Sequence, residues 1–334
     1  MPSNLPASSR AIRESKQRLS RNVRAVLVAN VLVLSVLPGS PARADLTADQ
    51  PGGPVIYTED VSRFYRVYDA AQGHPNAEQL QRDYIDPGSP GLHHLAEIRN
   101  VTGVTIAKEL AAHPEIFADA RRCMAVLPRV RPRVVVALRT LRRLYPQAEF
   151  PPVTIAVSRG KPVAVGGSTG VVIGLEALCA VNYLNPNVED RFVHTIAHEY
   201  THVQQARQSP VLYNNPKPTV LERSLLEGAA DFTATLIAGE VAFHSPYAPS
   251  VTVRDKEIEA QFVIDEDKTD LSQWIDNGTL TDPGDLGYWV GYRIVKAYYR
   301  HAADKRKALR DILEMKDPKA FLANSSWYPG IRLE

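Results

Sequence analysis

The chain has 334 residues, 44% apolar and 23% charged, which are the proportions of a soluble globular protein long enough for one large core or two modest ones. Its formal net charge is +2, but residues 1–44 hold seven of the 39 basic side chains and one of the 37 acids; the remainder has 32 against 36, net −4. That balance removes the compositional case for nucleic acid, and no nucleic-acid partner is expected.

The chain opens with Arg10, Arg13, Lys16, Arg18, Arg21 and Arg24, then an apolar run from Ala25 to Leu37, then Ala42-Arg43-Ala44. A basic start, a short apolar run and an A-x-A site predict a signal peptide over 1–44, cleavage after Ala44, and export to a periplasm or the medium. The run is too short for a membrane span, so none is expected after cleavage, and the first cysteine is Cys123, which rules out a lipoprotein. An organelle transit peptide would share the Arg/Ser-rich start but would not need the compact apolar run.

A Pro/Gly-rich arm covers 45–58, and residues 45–148 are expected to form an N-terminal helical region. Val61, Phe64, Tyr65 and Tyr68 recur at three and four, Pro87 to Gly91 reads as a plain loop, and helices run from Thr102 to Tyr145 with breaks near Pro114, Pro128 and Pro132. Arg139, Arg142 and Arg143 lie on one helix, and with no interleaved aromatic they read as a solvated face. Export would place Cys123 and Cys179 where a disulfide persists; two separate buried thiols are the alternative.

Between Pro151 and Leu175 the period shortens: Val153–Val157, Pro162–Val165 and Val171–Ile173 read as short strands joined by tight turns. Helices follow at about 188–207, 219–239, 254–266 and 285–315, and there is no internal repeat. The expected fold class is α+β, predominantly helical, with a small β-sheet preceding the helix of the next motif.

His198-Glu199-Tyr200-Thr201-His202 is HExxH. Asn187 can cap the helix, Glu189 and Asp190 suit its positive end, and Val193, Ile196, Ala197, Tyr200 and Val203 give it an apolar stripe. His198 and His202, four apart, stack one turn over the other and can offer nitrogens to one metal, while Glu199, about 100° around, flanks the site as a base for water. His194 is one turn further back; a metal cannot reach three successive turns of a straight helix, so it reads as a neighbour on the same face.

The next helix carries Leu225-Leu226-Glu227-Gly228-Ala229-Ala230-Asp231. Small residues beside Glu227 permit the close helix approach a short carboxylate ligand needs, and Asp231 can accept a hydrogen bond from the far nitrogen of a ligand histidine. HExxH followed by Glu-x-x-x-Asp resembles the gluzincin class of zinc metallopeptidases, and the stretch Val193 to Gln205 with LLEGAADF is similar to a family of predicted zinc-dependent proteases. The resemblance implies a zincin-like metallopeptidase region over 149–334, Zn2+ held by His198, His202 and Glu227, Glu199 as catalytic base, Asp231 behind a histidine, and a peptide or protein substrate.

The 24 residues between His202 and Glu227 exceed the thermolysin-like spacing, which leaves 208–218 without a template. The strand from Val171 to Leu175 resembles the edge strand on which such enzymes hold an extended substrate, with an interior strand as the alternative. Tyr288 and Tyr292 are candidates for stabilising an oxyanion, with His244 and His301 behind them and buried aromatic packing as the competing role. The rivals to a peptidase are an amidase acting on cell-wall peptides and a non-catalytic binding or chaperone-like protein with a structural zinc.

Overall fold

The computed structural model describes residues 53–181, 185–239, 248–278 and 284–333, with side chains omitted over 248–254. The signal segment, the arm as far as residue 52 and His244 lie outside the described residues.

Apolar residues three and four apart build α1 (Glu59–Ala70), which buries Val61, Phe64 and Tyr65. Asn76 caps α2 (Ala77–Leu80), which runs into one π turn at Gln81–Ile85. Of the stretch expected to be plain loop, Pro87 to Ser89 is loop, but Pro90 and Gly91 start α3 (Pro90–Arg99): Ser89 accepts from the Leu92 amide, and Pro90 sits in the first turn, where its missing N–H costs nothing. The helices α4 (Gly103–Ala112) and α5 (Pro114–Cys123) separate at Pro114 as expected, and a 3-10 turn at Met124–Val126 leads into α6 (Leu127–Leu144). Pro132 does not break α6; burial of Val130, Val134, Ala137, Leu138 and Leu141 offsets its lost hydrogen bond.

The sheet holds β1 (Ile56–Tyr57), β2 (Val153–Ala156), β3 (Ala164–Gly167) and β4 (Gly170–Gly174) in the order β1-β2-β4-β3. The arm at 45–58 ends in β1, which pairs parallel with β2. The strand at Val171 is interior, paired with β2 on one side and β3 on the other, so β3 is the edge and Leu175 already belongs to α7 (Leu175–Ala180). The cause is the segment between β2 and β3: it carries the chain past β4's position, and only β3 and β4 are joined by a tight turn. Glu176 holds that segment, accepting from the Ser158 and Gly160 amides at 2.9 Å and from the Ser158 hydroxyl at 2.5 Å.

Cys123 and Cys179 form a disulfide between α5 and α7, with Cα atoms 6.3 Å apart. Closing a loop with a sequence separation of 56 is worth about 4 kcal/mol on the chain-entropy account.

After α8 (Val188–Gln208) come the short α9 (Pro210–Tyr213), α10 (Val220–Ala238) and α11 (Ala248–Asp265). The single helix expected at 285–315 is two, α12 (Leu286–His301) and α13 (Lys305–Leu313), because the Asp304 side chain caps a new start; α14 (Pro318–Asn324) follows. The sheet packs between α1 and α3 on one side and α8 on the other, and α10 packs between α8 and α12. The first of two apolar clusters crosses the boundary drawn at 148/149, since Leu141, Tyr145 and Phe150 share it with Tyr200 and Val203. The fold is thus α+β and predominantly helical. Among the described residues, no helix is long and apolar enough to cross a membrane.

Candidate metal centre

Residues Arg191 to Gln205 of α8 are all buried, which fixes the motif's helix on every side. Asn187 caps it as expected, accepting from Glu189 and Asp190 amides. The Tyr200 hydroxyl donates to the Pro151 carbonyl at 2.6 Å, and Gln204 makes a reciprocal pair with the Glu149 backbone at 2.8 and 2.9 Å. These bonds tie the motif to the entrance of β2.

His198 and His202 converge, their Nε2 atoms 3.1 Å apart. Glu227 Oε2 from α10 lies 3.0 Å from His202 Nε2 and 3.3 Å from His198 Nε2. Tetrahedral ligands at 2.0–2.1 Å from an ion stand about 3.3 Å from one another, so the triangle has the size of a metal site, slightly contracted. The opposite ring nitrogens are committed: His198 Nδ1 is 2.7 Å from Asp231 Oδ1, and His202 Nδ1 is 2.7 Å from Gln205 Oε1, whose amide nitrogen donates to the Leu226 carbonyl at 2.9 Å. Both acceptors require N–H at Nδ1, which turns two bare Nε2 lone pairs and a carboxylate oxygen toward one point. Only a cation or added protons can relieve that convergence.

Electrostatics point the same way. Burial disfavours charge on His198, but the Asp231 and Glu227 carboxylates outweigh it and hold the imidazole pKa well above its ordinary value. Burial would raise Glu227, but His202 and Arg223 hold it well below the carboxylate range; Asp231 is likewise lowered against its burial by His198 and His194. With neutral imidazoles, the buried carboxylates Glu199, Glu227 and Asp231 crowd the triangle, and only Glu227 is ion-paired to an arginine, so a cation there is favoured. His194 joins His198 and Asp231 in a second group of potential ligands, its Nε2 3.5 Å from Asp231. That group would use the Nδ1 of His198 already bonded to Asp231, so the set His198, His202 and Glu227 is the one with free lone pairs.

The centre opens into a cavity of 370 Å³. His198, Glu199, His202 and Glu227 form one wall, and Ala164 to Gly166 of β3, with the Arg159–Val163 segment before it, form the other. Burial raises the Glu199 carboxyl above its ordinary pKa, against the pull of His202 and His198. Edge strand β3 passes so close that a Cβ at Gly166 would fall 2.3 Å from the Glu199 carbonyl oxygen and 3.0 Å from its Oε2.

Gly228 serves a different contact from the one its position suggested: it packs against α12, where a Cβ would lie 2.1 Å from the Gly291 backbone. Ser224 and Gly228 of α10 meet Gly291 of α12 almost backbone to backbone, and the Ser224 hydroxyl sits against Gly287. This crossing brings Tyr288 onto the cavity wall, its ring stacked 6.3 Å from that of His198. Tyr292, one turn on, is not part of the lining; its ring packs 6.0 Å from Phe232 in the second apolar cluster. His301 lies at the far end of α12, where Nδ1 donates to the Ala297 carbonyl at 2.8 Å.

Three neighbours of the site escaped the sequence reading. Gln205 and Arg223 carried a signal: each sits three or four residues from a ligand on the same helix, and Arg223 reaches Glu227 Oε1 at 3.0 Å. Tyr213 carried none, being in the segment without a template; its hydroxyl donates to the Gly166 carbonyl and its ring stands 5.9 Å from that of His202.

The fold and donors define a buried centre of two histidines and one carboxylate, able to hold a metal ion and open on one face. Residues 155–317, from β2 through α13, match the family model described as Predicted Zn-dependent protease (DUF2268). Neither a curated protein nor a solved structure matches the chain.

Proposed function

We propose that the protein is an exported zinc-dependent peptidase. The observation that carries this reading is the triangle of His198 Nε2, His202 Nε2 and Glu227 Oε2, with 3.0–3.3 Å edges, facing a cavity that also holds Glu199. Imidazole and carboxylate donors in this number suit zinc, and three protein ligands leave a position for water or substrate, unlike a closed structural site. When bound, the ion supplies Lewis-acid polarisation of a carbonyl and of water.

The chain's own residues do the rest. Asp231 and Gln205 hold the imidazoles in the tautomer that presents Nε2, and Arg223 offsets the charge of Glu227. Glu199, buried and with a raised pKa, accepts the proton of the attacking water and passes it to the leaving amine. Tyr288 lines the cavity with a buried hydroxyl, held protonated by desolvation and by Glu227, and is the better placed of the two tyrosines to donate to a developing oxyanion. The disulfide and the signal-like residues 1–44 both support export.

The experiment uses residues 45–334 and their Glu199→Gln variant. Each is expected to hold one zinc, and only the first to cleave a broad peptide library, with a rate lower by about 10²–10⁴ in the variant. Equal cleavage by the two, or no zinc in either, defeats the proposal.

A further inference from the structure

Charge is unevenly distributed around the cavity. Near Glu227 the cation is matched: Arg223 pairs with Glu227 at 3.0 Å and also feels Asp276. Arg99, at the last residue of α3, and Arg159, just past β2, line the same cavity from the opposite wall. Among the described residues, neither guanidinium has a carboxylate within ion-pair distance. Arg159 Nε donates to the Arg99 backbone carbonyl at 2.9 Å, which sets the Arg159 side chain against the end of α3, while Arg99 Nε is sealed from solvent with no hydrogen-bond partner. Arg99 lines the same cavity as Glu199 and Tyr213, and its charge reaches both.

We infer that Arg99 and Arg159 form a subsite that binds a carboxylate of the substrate beside the metal centre. The inference deepens the peptidase reading and rests on it for the choice of a peptide as ligand. A guanidinium is planar, stays charged and matches a carboxylate through two parallel N–H donors. With no carboxylate of the described residues within ion-pair distance of either group, an incoming anion supplies the missing counter-charge in a partly closed cavity. The carboxylate can belong to the peptide's C-terminus or to an acidic side chain; the recognition chemistry is the same.

The test measures binding without turnover, in the zinc-loaded Glu199→Gln protein. The probes are four fluorescein-labelled hexapeptides of Ala, Leu and Phe, with a C-terminal acid or amide and with Glu or Gln at one position. About tenfold tighter binding of a carboxylate-bearing form is expected, and its loss in an added Arg99→Gln change. Whether the acid/amide or the Glu/Gln pair shows the difference identifies the source. An Arg159→Lys change, which keeps charge but removes the fork, is expected to weaken the preference only in part, with zinc content and melting temperature checking that both variants fold. Equal or undetectable binding of all four peptides, or a preference that survives Arg99→Gln, overturns the subsite. Selective binding of peptides that the unmodified protein never cleaves would overturn the peptidase reading and leave the subsite standing.

Discussion

The two walls of the cavity are built by different means. The wall of α8, α10 and α12 is helical, buried throughout, and fixed by contacts between backbones at Gly228 and Gly291. The facing wall is edge strand β3, the segment before it and Tyr213 from a short helix, held by the ladder to β4, by three hydrogen bonds to the Glu176 carboxylate and by the Tyr213 hydroxyl. The difference suggests a division of labour: the rigid wall fixes where an ion sits, and the strand wall, with Arg99 and Arg159, decides what lies beside it.

Variants can break that division, beginning with the largest effect. Replacing a ligand on the helical wall, as in His202→Ala, is expected to abolish stoichiometric zinc binding and with it peptide hydrolysis; metal analysis after dialysis checks it. Gly228→Ala drives a methyl into the Gly291 backbone, and an overpacking cost of about 3 kcal/mol should appear as a lower denaturation midpoint in the zinc-bound protein. Asp231→Asn leaves the ligands in place but removes the charge that orients His198, so zinc affinity is expected to fall about 10–100-fold in a chelator competition. The smallest change belongs to the other wall: Tyr213→Phe frees the Gly166 carbonyl, and a few-fold change in KM with zinc content unaltered is expected. Loss of zinc from Tyr213→Phe would end the distinction between the walls.

The same contrast governs what the sequence disclosed. The helical wall was legible because helix geometry converts spacing into position: residues four apart share a face, so His198 over His202 and Glu227 one turn before Asp231 could be placed without coordinates. The fold class followed from the same periodicities, along with the sites of α1, α8 and α10. The strand wall was not legible because strand order depends on non-local pairing. Nothing in Gly170–Gly174 distinguishes an interior strand from an edge, and the answer lay in how the chain between β2 and β3 turns. The cap at Asp304 and the helix start at Pro90 were local signals passed over, whereas Tyr213 and Arg99 reach the site from segments whose spacing relative to the motif carries no information.

The proposal of one ion held by two imidazoles and one carboxylate underlies all of this, and anomalous scattering at the zinc edge from crystals of the zinc-bound protein tests it directly. The predicted result is a single zinc about 2 Å from His198 Nε2, His202 Nε2 and a Glu227 oxygen, with no fourth protein ligand. Zinc bound by His194, His198 and Asp231 instead, or a site closed by a fourth side chain, would contradict it.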